Sequence, residues 1–277
     1  STDSSSDYFK RLHDAGHCDL GTHLHPWVTP PHQEEVTRFN SYHGNLPRDL
    51  EAAKIDCMTQ TIRSRFGFNP TIFKAGRYGL GPHTLELIWQ AGYRIDCSVV
   101  PNTDFSGDGG PNFLGAPTQP YWLNSERSFL EVPLSKGYSG VLAAAGRKLA
   151  PLYDNPVFLK ARLPGILSRL GLLERAMLSP EGHSAAEQIA LMEALYRQGQ
   201  RVFSLTYHSP SMDVGHTPYV RDQADLKSFL ANIKAGETTR MIYELEAKAY
   251  VLFIPATGRA HFDVEMRPDT YNIKSRV

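Results

Sequence analysis

TIFKAGRYGLGPHTLELIWQAGYRIDCSVV, residues 71–100, carries two changes of period in one stretch. TIFKAG (71–76) is a short apolar run ended by glycine, as a buried strand requires. HTLELIWQAG (83–92) spaces its apolar residues for one face of a helix and stops at Gly92. YRIDCSVV (93–100) returns to the strand pattern. A strand, a helix of about 10 residues and a second strand form a βαβ unit, and that unit places the two strands side by side and parallel. The polar residues gather where the strands end: Gly76-Arg77-Tyr78-Gly79 after the first, and Asp96-Cys97-Ser98 within the second.

The same grammar extends in both directions. YFKRLHDAGH (8–17) predicts a short helix, CDLGTHL (18–24) a strand, and LPRDLEAAKIDCMTQTIRSRFG (46–67) a helix with Pro47 near its first position and Gly67 as its stop. Downstream, FLEVPL (129–134) and VFSLTYH (202–208) read as strands, and 155–177, 184–199 and 222–235 as helices. Residues 26–47 and 101–125 are loops dense in Pro, Gly and Asn. The expected fold class is α/β, a parallel sheet or barrel. In such folds catalytic groups collect at the carboxyl ends of the strands, and here four strand ends carry His, Arg, Asp and His. AYVLFIPATGRAHFDVEM (249–266) reads as two strands around a glycine turn.

Composition narrows the function. The chain has 277 residues and 41% hydrophobic content, enough to fill a sizeable core. Lys+Arg and Asp+Glu stand at 29 each, so overall charge argues for neither nucleic acid nor an anionic membrane as partner. No apolar run approaches the roughly 20 residues that span a bilayer. The first residues lack the apolar core of a signal peptide, and the three scattered cysteines suggest no disulfide framework, so a cytoplasmic, reduced protein is expected.

Five residues are candidates for chemistry. His23 and His25 alternate along an extended segment that stops at Pro26, so both imidazoles point one way and can reach one divalent cation. The alternative is that one orders the loop and the other faces solvent. His208 ends an apolar strand, either as a satisfied polar residue or as an acid. Asp96 lies inside an apolar strand and needs a partner. A histidine would serve, since an Asp–His pair orients the ring and favours its charged form. Arg77 sits between glycines that permit close approach of a ligand, or it bridges to a carboxylate. Trp27, Tyr78 and Trp122 are possible platforms for a sugar ring, or core residues. The remaining histidines, His43 and His183 among them, read as surface or loop positions.

GHCDLGTHLHPWVTPP, NSYHGNLPRDLEAAK, FKAGRYGLGPHTLELIWQAGYRIDCSVVPNTDFSGDGGPNF and VFSLTYHSPSMDVGHTPYVR, taken in this order over most of residues 15–235, resemble the polysaccharide deacetylases of the NodB-homology type, in particular the exopolysaccharide-associated branch. The resemblance implies a distorted (β/α) barrel over residues 1–235 and a separate extension over 236–277. It implies one divalent cation, usually zinc, held at His23 and His25, an acetylated poly- or oligosaccharide as substrate, His208 as the catalytic histidine and Asp96 as the acid supporting it. Two positions depart from the family pattern. Trp27 stands where the wider family has its second metal histidine, and Lys74 where this branch has arginine. Lys lacks the bidentate fork, so the arginine role falls to Arg77. The resemblance also places an Asp-bearing opening strand ahead of residue 1. Asp263 or Glu265 of the extension is an alternative source of a carboxylate ligand. Two rival functions follow from these departures: a carbohydrate-binding barrel without catalysis, and a hydrolase of a small non-peptide amide.

Overall fold

The computed structural model describes residues 3–153, 155–246, 250–255, 263–267 and 270–274, with side chains over 6–151, 153 and 155–234. The chain divides into two compact units, one built on residues 1–133 and the other on residues 134–257 and 264–274.

The first unit begins with α1 (Asp3–Asp14) and β1 (Thr22–Leu24). These are followed by α2 (Arg48–Phe66), β2 (Ile72–Ala75), α3 (Thr84–Gln90), β3 (Ile95–Asp96), β4 (Tyr121–Trp122) and β5 (Leu130–Glu131). The five strands form one sheet in the order β1-β2-β3-β5-β4, in which only the β4–β5 pair is antiparallel. The βαβ unit read from residues 71–100 is therefore present, with its strands adjacent and parallel. A core of Leu24, Ile55, Phe73, Ala75, Leu87, Ile88, Tyr93 and Phe129 joins β1 and β2 to α2 and α3. Gly67, at φ 85°, ends α2 in the left-handed conformation that an L side chain resists.

The second unit contains β6 (Lys136–Ser139), α4 (Gly146–Tyr153), α5 (Pro156–Lys160), α6 (Leu163–Arg169), β7 (Glu174–Met177), α7 (Ala185–Arg197), β8 (Val202–Tyr207), α8 (Gln223–Glu246), β9 (Tyr250–Pro255), β10 (Asp263–Arg267) and β11 (Thr270–Lys274). α7 starts with a full capping box between Ser184 and Glu187. It packs Leu191, Met192 and Leu195 against Ala176, Leu178, Phe203 and Leu205. Thr206 N–H donates to the Leu178 carbonyl at 3.1 Å, and Leu178 N–H to the Ser135 carbonyl at 2.8 Å, so the residues at the ends of β6 and β7 and in β8 share one layer.

Three expectations change. The helix expected over 155–177 is two short helices and a strand. Arg162 takes a left-handed φ of 56° between α5 and α6, Gly171 does so after α6 at 64°, and Glu174–Met177 then pairs antiparallel with β6. The two strands expected as a hairpin in the tail separate. β9 pairs parallel with β8, as its continuous apolar run favours, and β10 pairs with β11. Among the described residues the strands pair as one five-stranded sheet and three two-stranded ones, which is the α/β class expected. α8 runs through position 235 to Glu246.

Candidate active site

β1 carries the histidine pair to the carboxyl end of the parallel sheet. In register with Lys74, His23 brings its Nδ1 to 3.1 Å from the Lys74 carbonyl. A carbonyl only accepts, so Nδ1 carries the hydrogen and Nε2 carries the lone pair. This tautomer leaves Nε2 as the nitrogen able to ligate a metal. The His25 ring lies edge-on to that of His23, with centroids 4.5 Å apart, and Trp27 follows at 4.5 Å from His25. Gly76 is required here: a Cβ would overlap the Leu24 carbonyl and the His25 ring. Two imidazoles fit two positions of a four-coordinate zinc site. Among the described residues no group of three or more His, Cys, Asp or Glu could hold a metal ion. Asp263 and Glu265 fall in β10, and their side chains lie outside the described residues.

Lys54 fixes the loop that follows. Its buried ammonium donates to the carbonyls of Pro26 (3.1 Å), Thr29 (2.7 Å) and Pro31 (2.8 Å) and pairs with Glu34 at 2.9 Å. Burial alone would raise the Glu34 carboxyl, but the hydrogen bond and charge of Lys54 outweigh it and hold the group below its ordinary value. His43 is fully buried rather than superficial. Its Nδ1 meets Glu51 at 2.9 Å, and Thr84 donates to the same carboxylate oxygen at 2.5 Å, which ties the loop to α2 and α3.

Asp96 is buried, as expected. Its described partners are Ser98, whose hydroxyl donates at 2.5 Å, and Glu131, its register neighbour on β5. Glu131 also accepts the Val99 N–H at 3.1 Å. Two buried carboxyls in contact cannot both ionise. Burial, with Asp96 adding its charge, pushes Glu131 well above the carboxylate range. Burial also raises Asp96, against the hydrogen bonds of Glu131 and Ser98 and the charge of Lys74. Lys74, buried with its ammonium 3.0 Å from the Cys97 carbonyl, is pulled below the usual lysine range by desolvation.

Arg77 and Tyr78 both adopt left-handed backbone, at φ 53° and 59°. Non-glycine residues held this way store strain that the surrounding structure must compensate. Here Arg77 pairs with Asp108, donates to Ser41 and Tyr42, and lies 4.3 Å above the Tyr42 ring. The carboxylate-bridging alternative for Arg77 is therefore realised. It joins the 26–47 loop to the 101–125 loop, with Asn45 also donating to the Gly109 carbonyl at 2.7 Å. Tyr78 stacks on Phe105 at 5.6 Å, with the Lys74 ammonium 5.1 Å from its ring centre. Trp27 is 40% exposed, whereas Trp122 is half-buried in β4.

His208 belongs to the second unit, at the end of β8. Its Nδ1 lies 2.8 Å from Glu181, whose second carboxylate oxygen accepts the His208 N–H at 2.8 Å and the Ser211 hydroxyl at 2.6 Å. The Glu181 side chain is 7% exposed and that of His208 59%. Burial would raise Glu181, but the His208 and Ser211 hydrogen bonds outweigh it and keep the carboxylate ionised below its ordinary range. An ionised carboxylate only accepts, so His208 Nδ1 carries a hydrogen and Nε2 is the position for proton exchange. Glu181 escapes a reading of the sequence. Its only signal is a Glu-Gly step four residues after a strand whose spacing reads as helix.

No protein-family profile and no curated protein matches the chain. The solved structure of a Mycobacterium smegmatis protein assigned as a polysaccharide deacetylase aligns with 96% of this chain and 72% of its own, at 18% identity and a TM-score of 0.41.

Proposed function

We propose that this protein is a metal-dependent carbohydrate deacetylase of the NodB-homology type, cleaving an acetyl group from a poly- or oligosaccharide. The observation that carries the reading is the imidazole pair at the lip of β1, in which the Lys74 carbonyl holds His23 in the ligating tautomer. The order of the four matching stretches along residues 15–235 supports it, as does a histidine oriented by a buried carboxylate at the end of β8.

In this reading His23 and His25 hold a divalent cation, which when bound would polarise the acetyl carbonyl and acidify water. Water adds to the acetyl carbon and gives its proton to solvent, the carbon–nitrogen or carbon–oxygen bond to the sugar breaks, and acetate leaves. The family pattern names His208 as the proton donor to the leaving amine or alkoxide, and Glu181 supports the imidazolium form of that ring. The family pattern gives the supporting role to Asp96. Glu181 takes it here, because it is the carboxylate in hydrogen-bond contact with His208. Trp27, exposed beside His25, offers a face for a sugar ring. Arg77, engaged by Asp108, shapes the loops that border the site.

The test is incubation of the zinc-loaded protein with acetylated glucosamine oligomers, an O-acetylated glycan and small linear and cyclic amides, with products read by mass spectrometry. Loss of acetyl groups from a glycan supports the reading. Turnover of the amides alone would replace it with a small-amide hydrolase, and glycan binding without turnover with a binding module.

A further inference from the structure

The connection between β6 and β7 is out of proportion to the hairpin it closes. Antiparallel neighbours are ordinarily joined by about 2–5 residues, whereas this connection runs through residues 140–173 and contains α4, α5 and α6. Its neck is closed: Val141 N–H donates to the Gly171 carbonyl at 3.1 Å and Leu142 N–H to the Leu172 carbonyl at 2.8 Å. Its inner side packs Leu149, Ala150, Tyr153 and Leu167 around Tyr138 and Leu173, with the Tyr153 hydroxyl donating to the Leu173 carbonyl at 3.1 Å.

What this insertion leaves outside is unusual. Six of the fifteen large exposed hydrophobics among the described residues lie on it, so the apolar surface is concentrated there: Val141 (80% exposed), Leu142, Val157 (71%), Leu159, Ile166 and Leu170. Ile166 and Leu170 are one turn apart on the same side of α6. Between them and around them stand Arg147, Lys148, Lys160, Arg162 and Arg169, all exposed, against the single acid Asp154. The chain as a whole carries no net charge. The overall balance therefore hides a strongly basic segment that also exposes its aliphatic residues.

We propose that the 140–173 insertion is a peripheral docking surface for an anionic lipid bilayer. Short basic helices with exposed aliphatic side chains lie in the headgroup layer: the aliphatic groups enter the acyl boundary, while Lys and Arg stems extend their charges to lipid phosphates. The chemistry selects this occupant. An acidic polysaccharide would meet the charges but leave Ile166 and Leu170 in water, and a second copy of the same face would bring like charges together. Among the described residues no helix is long and apolar enough to cross a membrane, so the contact is a surface contact.

The test is flotation of the full chain with phosphatidylcholine vesicles, with and without phosphatidylglycerol, at low and high salt. The expected result is binding only to the phosphatidylglycerol vesicles, weakened by salt. The combined substitutions Lys160→Gln, Arg162→Gln and Arg169→Gln should weaken it about a hundred-fold, at the usual contribution of a basic residue near an anionic surface. An independent double variant, Ile166→Ser with Leu170→Ser, should weaken it at least about ten-fold through lost apolar burial. All five positions are exposed except for their own helix contacts, and unchanged circular dichroism identifies a folded variant. Absence of binding to phosphatidylglycerol vesicles would overturn the proposal. So would equal binding to phosphatidylcholine alone, or binding untouched by both variants. Self-association without lipid binding, abolished by Leu170→Ser, would reassign the face to a second copy.

Discussion

At His208 the position of one proton is set by its neighbour. Glu181 is buried, ionised and hydrogen-bonded to Nδ1, so the exchangeable proton belongs to Nε2. Orienting carboxylates of this kind are commonly worth about 10- to 100-fold in activity. Glu181→Gln keeps the shape and removes the charge. We expect kcat to fall by about that factor with KM little changed, as steady-state kinetics will show. Glu131 gives a second test at this scale, with the opposite sign from a salt-bridged acid. Its folded pKa is raised by burial and by Asp96, so the folded state keeps a proton that the unfolded chain has released. Stability therefore falls as pH climbs from the unfolded value, near 4.3, toward the raised folded value. Glu131→Gln keeps the acceptor for Val99 N–H and removes that slope. Relative to wild type, its melting temperature should be higher at pH 8 than at pH 5, and the reverse order would contradict a raised folded pKa at Glu131.

The 26–34 loop, between β1 and α2, owes its shape to one amino group. Lys54 satisfies three carbonyls and one carboxylate from within the protein. Lys54→Met fills the volume but leaves those acceptors and Glu34 without it. A cost of about 3 kcal/mol is expected in denaturant unfolding, as for other broken buried pairs. Because this loop begins directly after His25, zinc affinity measured by calorimetry should drop in the same variant. The turn after β2 presses on the same imidazole from the other side. Gly76→Ala would force a methyl into His25 and the Leu24 carbonyl. About 1–3 kcal/mol of overpacking cost is expected, together with weaker zinc binding. Unchanged zinc affinity in both variants would separate these elements from the histidine pair.

For the molecule as a whole, period and punctuation in the sequence carried the first unit well. The helix–strand alternation from residue 46 to 100 is present with boundaries shifted by a residue or two, except that the strand expected over 93–100 is confined to Ile95–Asp96, and β1, β2 and β3 bring the loaded turns to one edge of a parallel sheet. What failed were features that depend on distant partners. Lys54 and Glu51 look like the solvent face of an ordinary helix, yet both are fully buried, because a loop with many carbonyls and a buried histidine wraps that face. Glu131 and Glu181 have no local pattern at all, since each is defined by a residue on another strand or turn. The 155–177 segment misled in a different way. Its apolar spacing suits a helix, but Pro164, Gly165 and Gly171 cut it, and part of the apolar content faces outward rather than inward.

On the proposed reading, acetyl transfer to water depends on the histidine at the end of β8. The direct measurement is the initial rate of acetate release from an acetylated oligosaccharide by the zinc-loaded wild type and by His208→Gln, with circular dichroism confirming that both are folded. A general acid contributes about 10²- to 10⁴-fold, so steady release by the wild type and a loss of that size in the variant are expected. Equal rates in the two proteins, or no acetate from the folded, zinc-loaded wild type, would contradict that reading.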